Sequence, residues 1–176
     1  MAIYMKLDGV KGDATLGTGP MPERVSMHMI EQAAEENYKD WMVLNSISWN
    51  ITNPITTRSG TDADVKGAKT PKVSEVTIKK DFDTASANLV KTICKENTPR
   101  TCRIRFVRTD FIGQHYLEYT FNKVLLTHWS TATEKDGEPN EEIHLNFTSF
   151  EMHYHPADAE NVMQAPQRAE YDTLKK

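Results

Sequence analysis

The chain has 176 residues, with 21 Lys and Arg against 25 Asp and Glu and a formal charge of −4. That length suits one domain able to withdraw roughly 70% of its unfolded surface from water, and the acidic balance excludes a general nucleic-acid binder, which needs a net basic face. With 38% hydrophobic and 26% charged residues the profile is neither disordered nor that of a membrane protein, and no apolar run approaches the ~18 residues of a membrane span.

Strand signals dominate in chain order. Ile3 to Leu7 is short and apolar, and Asp8-Gly9 then forces a turn. From Trp41 to Ile51, Trp41, Val43, Ile47, Trp49 and Ile51 are placed on one face, with Ser46, Ser48 and Asn50 opposite. Val76 and Ile78 alternate with Glu75, Thr77 and Lys79, and Cys102, Ile104 and Phe106 alternate with Arg103 and Arg105. Leu117, Tyr119 and Phe121 share a face of a strand running on through Leu126. Ile143, Leu145 and Phe147 share another, and from Phe150 the apolar face changes to Phe150, Met152 and Tyr154. Such a phase change is what a β-bulge or a bend between sheets produces. The pattern predicts a mainly β fold: an antiparallel β-barrel or two-sheet sandwich with a short α-helix packed on it.

That helix spans Ala87 to Glu96, with Ser86 as N-cap and Ala85, Leu89 and Ile93 on one face. A second helix is expected over Met27 to Tyr38, opened by Ser26. Thr52 to Lys72 contains Pro54, Gly60, Gly67 and Pro71 and six charges without useful periodicity, and an unstructured connection of that length is usually functional or disordered. The chain from Ala157 on is polar and reads as a loosely held terminus. The domain is therefore taken as residues 1–160, with 52–72 as an extended loop and 161–176 as a polar C-terminal tail.

Little catalytic chemistry is visible. His153 and His155 lie two apart and would point the same way, a spacing that can chelate a metal, but no further ligand falls at zinc-like spacing and solvent-facing histidines are the simpler reading. Cys94 sits near the end of the predicted helix, where the dipole raises a thiol pKa, so it makes a poor nucleophile for a base such as His115. Trp41, Trp49 and Trp129 read as core or barrel-edge anchors. Arg100, Arg103, Arg105 and Arg108 form a basic cluster; Arg103 and Arg105 share the outward face of a strand, where they either pair across strands with carboxylates such as Glu118 or meet a protein partner. Two cysteines, Cys94 and Cys102, point to a reducing compartment, and Met1 to Val10 carries no charged-then-apolar leader. The expectation is no enzyme, no cofactor and no metal, and a protein that works by assembly or binding.

Several blocks in order resemble one family. Ile3-Tyr4-Met5-Lys6-Leu7-Asp8-Gly9-Val10-Lys11-Gly12-Asp13, then Asp40-Trp41 through Ser46-Ile47-Ser48-Trp49, then Val76-Thr77-Ile78-Lys79-Lys80-Asp81 leading into Thr84-Ala85-Ser86-Ala87-Asn88-Leu89, then Leu117-Glu118-Tyr119 through Val124-Leu125-Leu126, and finally Glu142-Ile143-His144-Leu145-Asn146-Phe147 through Tyr154-His155-Pro156 resemble the haemolysin-coregulated protein family, Hcp. Its members form the tube of bacterial type VI secretion systems. The resemblance implies a homohexameric ring of β-barrel protomers, stacked head-to-tail into a hollow tube that sheath contraction expels behind a spike, with small effectors carried and protected in the lumen. It also implies assembly in the bacterial cytoplasm, then secretion without a cleaved signal peptide, and no membrane insertion or nucleic acid.

The family's inter-ring loop matches Thr52 to Lys72, so Arg58, Asp62, Asp64, Lys66 and Lys69 are the expected ring-stacking residues. Arg103, Arg105 and Glu118 are the candidate protomer-interface residues. Residues 14–37 are longer than the family's usual link, which implies an added helix on the ring's rim. A Pro common just inside the helix is Ala87 here, and the family's closing Gly-Trp segment has no counterpart in Gln164 to Lys176. The competing function is a monomeric β-barrel that binds a ligand through its Trp or Arg residues.

Overall fold

A computed structural model describes residues 1–12, 14, 38–57, 66–68, 70–108, 115–133, 137, 139–157 and 164–175. In chain order the described elements are β1 (Ala2–Leu7), β2 (Met42–Leu44), β3 (Ser46–Ser48), β4 (Ile51–Thr52), β5 (Ile55–Thr57), β6 (Lys66–Ala68), β7 (Lys72–Val73), β8 (Val76–Asp81), α1 (Ser86–Lys95), β9 (Arg100–Val107), β10 (His115–Ala132), β11 (Asn140–Asn146), β12 (Ser149–Tyr154) and β13 (Gln167–Asp172). The fold is mostly β-sheet with one helix among the described residues, as the alternation predicts. The second expected helix, over Met27 to Tyr38, lies outside the described residues apart from Tyr38.

Nine strands form one sheet in the order β2-β1-β9-β10-β11-β8-β3, with β12 on β10 and β13 on β12. Every pairing is antiparallel. The first and last strands of this path are successive stretches of one segment, so its two ends are joined through Asn45. The Asn45 N–H donates to the Lys79 carbonyl (2.8 Å) and its Nδ2 to Asp81 Oδ1 (2.7 Å). This break corrects the expected face over Trp41 to Ile51. Met42 and Leu44 point into the core, Val43 is exposed, and only after Asn45 does the odd-numbered face of Ile47 and Trp49 reach the interior.

Strand β10 bends in the same way. Its register on β9 shifts between Phe121 and Val124, and Lys123 takes a positive φ of 53°. Before the bend β10 pairs with β12, Asn122 opposite Ser149; after it β10 pairs with β11, Leu125 opposite Asn146. The phase change at Phe147 to Phe150 therefore marks the break between β11 and β12, which follow the bent β10. The C-terminal segment expected to be loose instead adds β13, because backbone pairing with β12 needs no apolar face. In β13 only Tyr171 reaches inward, 6.3 Å from Phe150 between ring centroids.

The core gathers Met5, Leu7, Met42, Leu44, Val76, Ile78, Cys102, Ile104, Phe121, Ile143 and Leu145 from the strands, Leu89 from α1 and Ala85 just before it. Trp49 sits among the rings of Tyr119, Phe121, Phe147 and Phe150, with centroids 4.9 to 6.2 Å away. Two glycines of the opening turn are required by space. Gly9 has a φ of +80°, and a Cβ there would stand 2.3 Å from Arg100 Nη1; at Gly12 it would stand 2.2 Å from the Trp41 carbonyl oxygen.

Alternation carries two charges inward with the apolar residues: Lys80 after Val76 and Ile78, and Glu141 before Ile143 and Leu145. Both are sealed from solvent. Lys80 Nζ donates to the Asp81 carbonyl (2.6 Å), Asp83 Oδ1 (2.8 Å) and Glu141 Oε1 (2.8 Å). Glu141 also accepts from Ser86 Oγ at Oε1 and from Trp129 Nε1 at Oε2, each at 2.8 Å. Ser86 is therefore not the N-cap. The cap position is Ala85, without a side-chain cap bond, and Asp83 Oδ1 accepts the Ala85 N–H instead (2.8 Å). The Ser86 hydroxyl is drawn inward by the buried carboxylate. Lys80→Met leaves Glu141 and Asp83 uncompensated, so chemical denaturation should show a loss of about 3–5 kcal/mol; a change within ~0.5 kcal/mol would show that the network is dispensable.

Candidate functional site

The residues singled out from the sequence fall in two places: the segment 52–72, and the outward face of β1, β9, β10 and β12. The first is built on the β3–β8 pair, in which Ser48 stands opposite Thr77. Beyond it the Ser74 N–H donates to the Asn50 carbonyl (3.0 Å) and the Asn50 N–H to Ser74 Oγ (2.9 Å). Then β4 pairs with β7, Ile51 opposite Val73, and β5 with β6, Ile55 opposite Ala68. The connection expected to lack structure is thus a two-stranded ribbon along its described length.

Its β-branched run (Ile51, Thr52, Ile55, Thr56, Thr57) supplies strand propensity. Alternation is weak because little of the ribbon lies on the core: Val73 packs against it, but Ile51 and Thr52 are exposed, and both short pairings stand as sheets apart from the nine-stranded one. Of the expected stacking residues, Lys66 opens β6 opposite Thr57. Arg58, Asp62, Asp64 and Lys69 lie outside the described residues.

On the outward face, Tyr4 and Glu118 flank Arg105 on the neighbouring strands, and Lys6 and Thr120 flank Arg103. Arg105 is committed within its own chain. Its Nε is bonded to Glu118 Oε2, its guanidinium lies 5.0 Å from the Trp41 ring centroid, and it donates to the Tyr38 hydroxyl. Tyr38 stacks on Tyr4 at 4.5 Å and meets Trp41 edge-on at 5.3 Å; with Val107 these rings form a second buried cluster. Burial pushes the Tyr4 and Tyr38 hydroxyls above their ordinary pKa. Arg103, two residues away on the same face, is exposed and makes no ion pair among the described residues. It stands opposite Lys6, while at the far side of the sheet Glu151 stands opposite Glu170. The face is therefore basic toward β1 and β9, while toward β12 and β13 the carboxylates of Glu151, Glu170 and Asp172 outnumber Arg168.

Among the described residues His153 and His155 belong to no three-donor cluster. His153 Nε2 is 3.9 Å from Glu151 Oε2, and the His155 ring packs edge-on to His115 at 5.7 Å. Among the described residues the three-donor cluster is His128, Glu142 and His144 on β10 and β11, which sequence spacing does not reveal because His128 comes from a neighbouring strand. Cys94 is exposed on α1, while His115 has Glu118 and His155 as neighbours, so no nucleophile–base pair forms there. Cys102 is buried, which drives its thiol pKa upward.

The profile of the family described as "Type VI secretion system effector, Hcp" matches residues 4–154. No curated protein matches the chain. Among solved structures, a type six secretion system protein is 19% identical with a TM-score of 0.78, over 98% of this chain and 96% of its own. A type VI secretion system effector from Yersinia pestis is 20% identical with a TM-score of 0.66, over 97% and 98%. Hcp1 from Salmonella typhimurium is 20% identical with a TM-score of 0.66, over 98% and 94%. At these identities the structures establish the shared fold.

His115 gives the outward face a pH signature. Burial, then Arg105, and more weakly His155 and His153 hold its pKa below the ordinary 6.5, against the opposing pull of Glu118. The unfolded chain therefore binds this proton more readily than the folded one. The contribution to stability is full above pH ~6.5 and is lost as pH falls through the lowered folded value. His115→Gln should flatten the pH dependence of the denaturation midpoint on the acid side of neutrality; an unchanged profile would remove His115 as its source.

Proposed function

The chain belongs to the Hcp family of type VI secretion system effectors, and from this premise we propose that it closes into six-membered rings that stack head-to-tail into a hollow tube. Membership makes it a structural, tube-type component of the secretion system and not an enzyme, in a family of secreted proteins that work with sheath, spike and effectors. In our reading the tube is assembled in the cytoplasm and expelled by sheath contraction behind the spike, and its lumen carries and protects small effectors. The seven-stranded path from β2 to β3, whose ends meet at Asn45, is read as a closed β-barrel.

The observation that carries the stacking role is the ribbon formed by the described strands β4, β5, β6 and β7. A two-stranded ribbon is marginal alone in water, and along its described strands this one pairs with itself, with Val73 alone among them packed on the core and Ile51 exposed. A neighbouring ring supplies the surface it lacks, with Arg58, Asp62, Asp64, Lys66 and Lys69 setting register through polar contacts.

Ring closure needs a heterologous contact between two different surfaces of the same chain. The outward face offers them: Lys6 and Arg103 toward one side, Glu151 and Glu170 toward the other. Like charges facing across strands weaken a sheet by themselves, and a basic edge set against the next protomer's acidic edge relieves both. Of the three candidate interface residues, Arg103 makes this contact, while Arg105 and Glu118 hold the surface beneath it.

Light scattering of the purified protein, with negative-stain images of the same fraction, should show a six-protomer species forming rings and stacks. A monomer at high concentration would overturn the ring and favour the ligand-binding module. Replacing residues 58–65 by a short Gly-Ser turn should leave rings that no longer stack; stacks of unchanged length would overturn the ribbon's role. Arg103→Glu should shift the scattering mass toward monomer, with the far-UV spectrum unchanged. Intact hexamers from that variant would place ring closure elsewhere.

A further inference from the structure

On the solvent face of β10 and β11, two histidines and a carboxylate converge without any part in the assembly reading. The register shift between Leu126 and His128 sets His128 directly opposite His144, and Glu142 lies two residues before His144, hence on the same face. The two imidazole centroids are 4.6 Å apart, and Glu142 Oε1 is 3.0 Å from His144 Nε2. One donor atom from each of the three residues falls within 4.8 Å of the others.

The surrounding charge suits a cation. Lys79 Nζ engages Glu142 through the other oxygen, Oε2 (3.1 Å), and Glu75 Oε2 lies 3.8 Å from His144 Nδ1. Two carboxylates against one ammonium leave the patch net negative. Tetrahedral ligands around zinc sit about 2.0–2.2 Å from the ion, so its donors are roughly 3.4 Å apart; the observed cluster reaches that by small side-chain rotations. His128 is exposed and free to make them.

We propose that His128, Glu142 and His144 form a surface site for a zinc-class divalent transition-metal ion, with a fourth position open to solvent. Two imidazoles among three donors select zinc, cobalt, nickel or copper over calcium and magnesium, which take oxygen ligands. The assignment is independent of ring formation, since every ligand comes from one chain.

The test uses the full-length protein, freed of metal by a chelator and dialysis. Calorimetric titration with zinc chloride should give one ion per chain, and cobalt(II) should develop the visible bands of a low-coordinate nitrogen–oxygen site. His128→Ala, at an exposed position that leaves the fold intact, should weaken zinc binding at least about tenfold, an effect as large as outer ligand-shell losses at known sites. His144→Ala should do the same, and the double variant His153→Ala/His155→Ala should bind as the parent does. No stoichiometric binding, binding indifferent to His128→Ala, or binding lost only in the 153/155 variant would each overturn the site.

Discussion

The ammonium of Lys80, sealed inside the protein, is held by three acceptors at 2.6 to 2.8 Å, and much of the architecture depends on that arrangement. An isolated charge at such a place costs several kcal/mol in lost hydration. Here all three ammonium protons are used, and both oxygens of Glu141 are filled by Lys80, Ser86 and Trp129. The partners come from β8, β10, β11, the turn before α1 and the first residue of α1. Satisfying one buried charge therefore fixes where the helix starts and how it meets the sheet. It also anchors β8, one of the two strands from which the ribbon grows.

Two arginines on one strand face show how packing divides identical chemistry. Arg103 and Arg105 share β9 and point the same way, yet Tyr38 and Trp41 lie against Arg105 alone. With Glu118 they engage its charge and its Nε, bracing it within its own chain. Arg103 keeps its guanidinium in solvent beside Lys6. A partly buried, aromatic-braced arginine and an exposed one two residues away have different uses, although nothing in their sequence spacing separates them.

The alternating segments were legible where a strand faces a single core: Val76 and Ile78, Cys102 and Ile104, Ile143 and Leu145 all point inward as the period of two requires. The same period run one step further reaches Lys80, and run one step back from Ile143 reaches Glu141. The signal for the buried ion pair was present, masked by the expectation that charges face water. The expectation failed at Asn45, which reverses the inward face, and at β13, which pairs by backbone without an apolar stripe.

The sequence by itself determined a mainly β chain with one dominant helix, the Asp8-Gly9 turn and the family, because these rest on local conformational preference and on ordered blocks of residues. Only the tertiary structure decided that the described ends of the 52–72 connection pair as a ribbon continuing from β3 and β8, that Ser86 serves a buried carboxylate and not a helix end, and that His128 meets His144. Those outcomes depend on which strands become neighbours. Cross-strand register brings together residues 16 to 61 positions apart, and a one-residue shift would send each of these side chains to the opposite face.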